Sequence, residues 1–182
     1  TPESDAYILG LAAAGLKTLG FNNFKVLIND RAVFKNIQNA VDLKDKQLII
    51  AIRAIDKLKK IGEEQVVEEM ISNGIEAETT GRILDEIKNI QPTERIKKIL
   101  ESIRQYDPGI YGININQFEF TPILARGLDY YTGLIFELEV EEYESGSVCG
   151  GGRYNGLIGM FSNESIPAVG FSYGFDRLVE TM

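Results

Sequence analysis

Histidine is missing from this 182-residue sequence, and cysteine occurs once, at Cys149. Those gaps exclude Cys/His zinc sites, Ser-His-Asp triads and imidazole general bases. One cysteine cannot close a disulfide within the chain, which fits a reducing cytoplasm. No uninterrupted apolar run approaches the length of about 18 residues that a membrane span needs. The first residues carry neither the basic nor the apolar region of a secretory signal, so nothing argues for a membrane or for export. Chemistry here falls to Arg, Lys, Asp, Glu, Tyr, Ser, Thr or backbone amides.

Lysine is absent from residues 107–182, where Arg126, Arg153 and Arg177 stand among eleven carboxylates. Residues 1–36 hold four cations and three anions, and residues 37–106 hold twelve and thirteen, so the formal charge of −8 resides in the last segment. That balance opposes simple phosphate neutralisation along a nucleic acid. Arginine without lysine suggests planar, two-pronged recognition of phosphate or carboxylate; pairing with local Asp or Glu is the alternative.

What is present is a 44% apolar composition, enough to bury a core. Ser4 or Asp5 can cap a helix carrying Ile8, Leu11, Ala12, Leu16 and Leu19, ended by Gly20. A short buried strand is predicted over 24–28, followed by Asn29, Asp30 and Arg31, which can cap a short helix to about Ile37. Four amphipathic helices then follow. Their stripes are Ile49, Ile52, Ile55 and Leu58; Val66, Val67, Met70 and Ile71, stopped by Gly74; Ile83, Leu84, Ile87 and Ile90 after Thr80; and Ile96, Ile99, Leu100 and Ile103 after Thr93. Two basic clusters, Lys57, Lys59 and Lys60, then Arg95, Lys97 and Lys98, read as solvated helix faces or as a weak RNA contact. Asp107-Pro108-Gly109 breaks the run, and strands are predicted over 117–124, 134–141, 147–152 and 168–173, with a closing helix from Gly174. The expectation is an α+β fold: a mostly antiparallel sheet with flanking helices in 1–40 and 107–182, and a helical subdomain inserted at 41–106.

Three stretches can carry chemistry. Residues 125–133 (ARGLDYYTG) set an arginine beside glycine and two tyrosines, able to hold a small polar molecule with an anionic end. A tight turn in which Asp129 pairs with Arg126 is the alternative. Residues 149–156 (CGGGRYNG) allow close backbone approach beside Arg153, or form a glycine-lined strand against which another backbone packs. This is neither a P-loop nor a dinucleotide fingerprint, because no Gly-Lys-Ser/Thr and no βαβ unit accompany it. Residues 167–178 (PAVGFSYGFDRL) run from strand into helix, where free amides and Arg177 could meet an anion or Arg177 could pair on the surface.

In this order and spacing, ARGLDYYTGLIFE, GSVCGGGRYNGLIGMF and PAVGFSYGFDRL resemble the histidine-binding signature, the glycine-rich strand and motif 3 of histidyl-tRNA synthetases, which are class II enzymes. KVLINDR is similar to the strand that follows motif 2, and 41–106 is similar to that family's insertion domain. The resemblance implies a histidine pocket of Arg126, Gly127, Tyr130, Tyr131, Gly151, Gly152 and Tyr154. It implies ATP contacts from Arg126, Gly174 and Arg177, with Arg126 as the catalytic group between the histidine carboxylate and the α-phosphate. ATP with Mg²⁺ is then a substrate, tRNA(His) the acceptor and a cytoplasmic homodimer the working form, with no tightly bound cofactor and no metal held by the protein.

Counterparts of motif 1, motif 2 and the anticodon-binding domain are lacking, and position 176 is Asp where Glu is commoner. A piece of a larger ligase, not competent alone, is therefore expected. Two other readings stand beside it: a non-catalytic paralogue such as the regulatory subunit of ATP phosphoribosyltransferase, and an RNA-binding or interaction module centred on 41–106.

Overall fold

A computed structural model describes residues 1–105, 113–125, 130–144, 146–162 and 164–182. Helix α1 (Pro2–Thr18) starts one turn earlier than the sequence suggests, because the Thr1 hydroxyl accepts from the Ser4 amide and proline occupies the first position. Asp5 is therefore free of capping duty and is wholly buried. Gly20 ends the helix region at φ 96°, a value that glycine alone adopts without cost. Strand β1 (Phe24–Asp30) leads directly into α2 (Arg31–Val41), whose cap is the Asp30 carboxylate accepting from the Ala32 amide at 3.0 Å.

Helices α3 (Asp45–Ile55), α4 (Leu58–Ser72) and α5 (Ala77–Asn89) follow. The chain breaks helix at Asp56 and Lys57, so Leu58 opens α4 instead of extending the stripe of α3. Within α4, Gly62 sits at φ 81° and ψ 170°, a kink closed to residues with a Cβ. Helix α6 (Glu94–Gln105) begins where expected, with the Thr93 hydroxyl accepting from the Ile96 amide.

Strands β2 (Phe118–Phe120), β3 (Leu134–Val140), β4 (Cys149–Arg153) and β5 (Val169–Tyr173) join β1 in one five-stranded sheet of order β2-β1-β3-β4-β5. Pairings from β1 through β3 and β4 to β5 are antiparallel, while β2 joins the edge parallel to β1. Only three residues of the expected strand over 117–124 pair; the Thr121 amide still donates to the Ile28 carbonyl, and beyond it the Asn29 side chain takes the Pro122 and Leu124 carbonyls. Helix α7 (Phe175–Thr181) closes the described chain.

Period-two alternation divides the sheet into two faces. Phe24, Val26 and Ile28 of β1 and Leu134, Phe136, Leu138 and Val140 of β3 pack with Leu9, Ala12, Ala13 and Leu16 of α1 and Ile96, Ile99 and Ile103 of α6. Leu27 and Ile135, on the opposite face, join the core formed by α2 to α5. The fourth of the predicted helices thus packs on α1 and the sheet, apart from the α2–α5 group.

Tyr173 ties the last strand to the first helix: its hydroxyl donates to the Ala12 carbonyl at 2.7 Å. A Cβ at Gly15 would overlap that hydroxyl, so the helix must carry glycine there. Burial pushes the Tyr173 phenol up to about 12, with the nearby Cys149 adding to the rise. In the unfolded chain the phenol ionises near pH 10. The folded state therefore gains stability that is complete below about pH 10 and is lost as pH climbs towards about 12. Tyr173→Phe is expected to flatten that alkaline fall, read as urea midpoints at about pH 9 and about pH 11.5, and to cost about 1 kcal/mol at neutral pH through the lost hydrogen bond.

Candidate functional site

Tyr130, Tyr131 and Tyr154 meet over the end of β4. The Tyr130 and Tyr131 ring centroids are 4.6 Å apart, and Tyr154 stands 6.0 and 6.4 Å from them in edge-on geometry. Backbone hydrogen bonds fix this arrangement. The Thr132 amide donates to the Arg153 carbonyl at 2.8 Å, and the Tyr154 amide donates to the Ala168 carbonyl at 2.9 Å.

Missing side chains let the rings seat against the strands. A Cβ on Gly152 would run into the Leu134 carbonyl and stand 2.7 Å from the Tyr131 ring; one on Gly170 would lie 2.6 Å from the Tyr154 hydroxyl. Gly170 was not singled out from sequence, although it lies in the PAVGFSYGF stretch. Gly151 corrects an expectation: its vacant side faces the other core, where a Cβ would come 2.7 Å from Phe171 and 2.8 Å from Phe136. Strand alternation sends adjacent glycines to opposite faces, so only Gly152 can serve the tyrosine cluster. Gly152→Ala is expected to destabilise the fold by about 1–3 kcal/mol through overpacking, measured by urea unfolding.

On the same face of β3, Glu137 and Glu139 follow Ile135 at alternate positions and line a cleft of about 590 Å³. Lys59, Lys60, Leu27, Thr121 and Arg177 complete much of its wall. The Arg177 guanidinium donates to the Ser147 carbonyl and lies 5.9 Å from the Tyr143 ring. Gly174 caps α7, and a Cβ on it would press to 3.1 Å from Arg177 Cδ, so glycine leaves space for that arginine. Tyrosine cluster and charged cleft thus share one face of the sheet, with 135–139 running between them over roughly 13 Å.

Arg153 belongs to neither. It is 5% exposed and grips the buried Asp5 carboxylate, Nε to Oδ1 at 2.8 Å, while Arg95 Nε reaches Oδ2 at 2.9 Å. Of the two alternatives for the arginines, Arg153 takes carboxylate pairing, with a partner remote in sequence. Arg126 and Gly127 lie outside the described residues, as do Asp129 and the break at 107–109. In the basic clusters Lys57 pairs with Glu69 at 2.6 Å, Lys59 with Glu139 at 3.5 Å and Lys97 with Glu94 at 2.7 Å, as the solvated-face reading expects, whereas Arg95 departs from it by turning inward to the buried Asp5. Among the described residues no cluster of three His, Cys, Asp or Glu side chains forms a metal site, and no helix is long and apolar enough to cross a membrane.

A mixed sheet with helices banked on both faces defines an α+β core. The model of the histidyl-tRNA synthetase family matches residues 1–178, and the chain belongs to that family. Histidine–tRNA ligase of Aeropyrum pernix is 37% identical over 190 residues, spanning 98% of this chain and 43% of that protein. The corresponding ligase of Nanoarchaeum equitans is 37% identical over 98% of this chain and 41% of its own length. The crystal structure of histidyl-tRNA synthetase from Nostoc sp. PCC 7120 superposes with a TM-score of 0.84 at 28% identity, covering 98% of this chain and 46% of that one. A structure described as an ATP phosphoribosyltransferase regulatory subunit/histidyl-tRNA synthetase from Bacillus halodurans C shares the fold, with a TM-score of 0.77 at 23% identity over 100% of this chain and 50% of that one. The chain thus spans less than half the length of these ligases, and its fold is that of a class II synthetase core.

Proposed function

We propose that these residues supply the amino-acid pocket and part of the ATP site of a histidine–tRNA ligase, which activates histidine as histidyl-adenylate and transfers it to tRNA(His). The observation that carries this reading is the placement of three tyrosine rings and a charged cleft on one sheet face, separated by about the length of an aminoacyl-adenylate. Tyr130, Tyr131 and Tyr154 above Gly152 would take the imidazole, a flat, polar, partly aromatic ring suited to edge-on partners. Arg126, with Gly127 giving close approach, would lie between the carboxylate and the α-phosphate, where negative charge grows as the carboxylate attacks phosphorus.

Arg177 in the cleft would meet the nucleotide, with Gly174 clearing its path. Mg²⁺ would be held mainly by the ATP phosphates. Glu137 and Glu139 present hard oxygen donors on the cleft wall, a chemistry that fits such a cation. The protein would work in the cytoplasm as a homodimer, and helices α3 to α5, the part of 41–106 that packs away from α1, would be the family's insertion domain.

Histidine-dependent exchange of pyrophosphate into ATP by the full-length chain tests the proposal. Exchange with histidine and none with other amino acids is expected, whereas tight histidine binding without exchange would favour the regulatory-subunit reading. Residues 1–182 alone are expected to show no histidine binding by calorimetry, because motif 2 contributes to the site in this family.

A further inference from the structure

The buried carboxylate of Asp5 lies on the opposite sheet face from the tyrosine cluster, yet a continuous set of hydrogen bonds joins them. Asp5 accepts from Arg153 Nε at 2.8 Å and from Arg95 Nε at 2.9 Å. The same Arg153 guanidinium donates through Nη1 to Asn155 Oδ1 at 3.1 Å and through Nη2 to the Thr1 carbonyl at 3.4 Å. Asn155 Oδ1 also accepts from the Ala168 amide at 3.3 Å, and the Asn155 amide donates to Thr132 Oγ1 at 3.1 Å. The Thr132 amide returns to the Arg153 carbonyl. Arg153 directly precedes Tyr154 and Thr132 directly follows Tyr131, so this set fixes the backbone on both sides of the cluster.

From this geometry we infer that Asp5 is a positioning residue for the histidine pocket, acting through Arg153 and the Thr132–Asn155 link to set the spacing of the three tyrosine rings. The inference rests on the proposed ligase reading of that pocket. Arginine suits the task because its rigid fork addresses Asp5 and Asn155 with different nitrogens, whereas a lysine ammonium is a single point of charge. The Arg177 cleft is framed by β3, the start of α4 and residues 144–147, none of which this set touches. Disturbing it should therefore alter histidine recognition and spare ATP.

The test is steady-state pyrophosphate exchange by the full-length chain carrying Asp5→Asn, Arg153→Lys or Thr132→Val. Thr132 is exposed, so its variant loses the link without opening the buried ion cluster. The expected result is a rise in KM for histidine of roughly tenfold or more, with KM for ATP within about threefold, since misplacement by a fraction of an ångström is costly in a preorganised pocket. Should Asp5→Asn fail to fold, Thr132→Val decides. An equal rise in both KM values, or an unchanged KM for histidine in Thr132→Val, would show the cluster to be structural only and overturn the inference. Wild-type protein with no histidine-dependent exchange would instead overturn the ligase reading, an outcome visible before any variant is compared.

Discussion

Arg126→Ala is expected to lower histidine-dependent pyrophosphate exchange by roughly 10²–10³-fold, the usual cost of removing one donor aimed at a developing oxyanion. In the role proposed for Arg126, ATP affinity should change much less, because the contact would strengthen only as the carboxylate oxygen closes on phosphorus and charge accumulates on the phosphoryl oxygens. Exchange rates and ATP equilibrium binding measured on the same preparation separate the two effects. A loss confined to a few-fold would remove Arg126 from the reaction centre.

Asp5→Ala is expected to cost about 3–5 kcal/mol of folding stability, the range found when one member of a buried ion pair is deleted. The Arg153 side chain is only 6% exposed and would keep its charge in a dry site without a counterion. For a domain of this size each kcal/mol moves the midpoint by about 2–4 °C, so a fall of about 6–20 °C in Tm is anticipated. The isosteric Asp5→Asn should fall between wild type and alanine, because an amide oxygen still accepts from one guanidinium. Equilibrium urea unfolding with both variants checks the ranking.

Much of the fold was legible in the sequence. Alternation in LIFELEV separates the α1/α6 face from the site face, and Gly20 ends its helix as local chemistry requires. Long-range geometry was not legible. The parallel edge pairing of β2 depends on a chain reversal through 30–118, and the docking of α6 on α1 depends on which of two apolar cores receives its isoleucines. Asp5 shows the limit most clearly. A carboxylate near a helix start reads as a cap, and only the distant arginines make it an anchor.

The site was partly legible for the same reason. Tyr130, Tyr131, Tyr154 and Gly152 converge as their motifs suggested. The opposite orientation of Gly151 required the register of β4. Gly170 could have been found by asking what faces Gly152 across the next strand, where the two are paired.

The link between Asp5 and Arg153 spans 148 positions of chain. At ribosomal speeds of about 5–20 residues per second, roughly 7–30 seconds separate the appearance of the acid from that of its arginine. For the first 90 positions of that interval, until Arg95 is made, α1 carries a carboxylate with neither guanidinium partner, and until β4 arrives Arg95 is the one of the two it can meet. Ribosome-bound chains arrested before Arg95 should then expose α1 to protease, and those arrested well beyond Arg153 should shield it. The tyrosine cluster, which includes Tyr154, would take shape only after that point in synthesis.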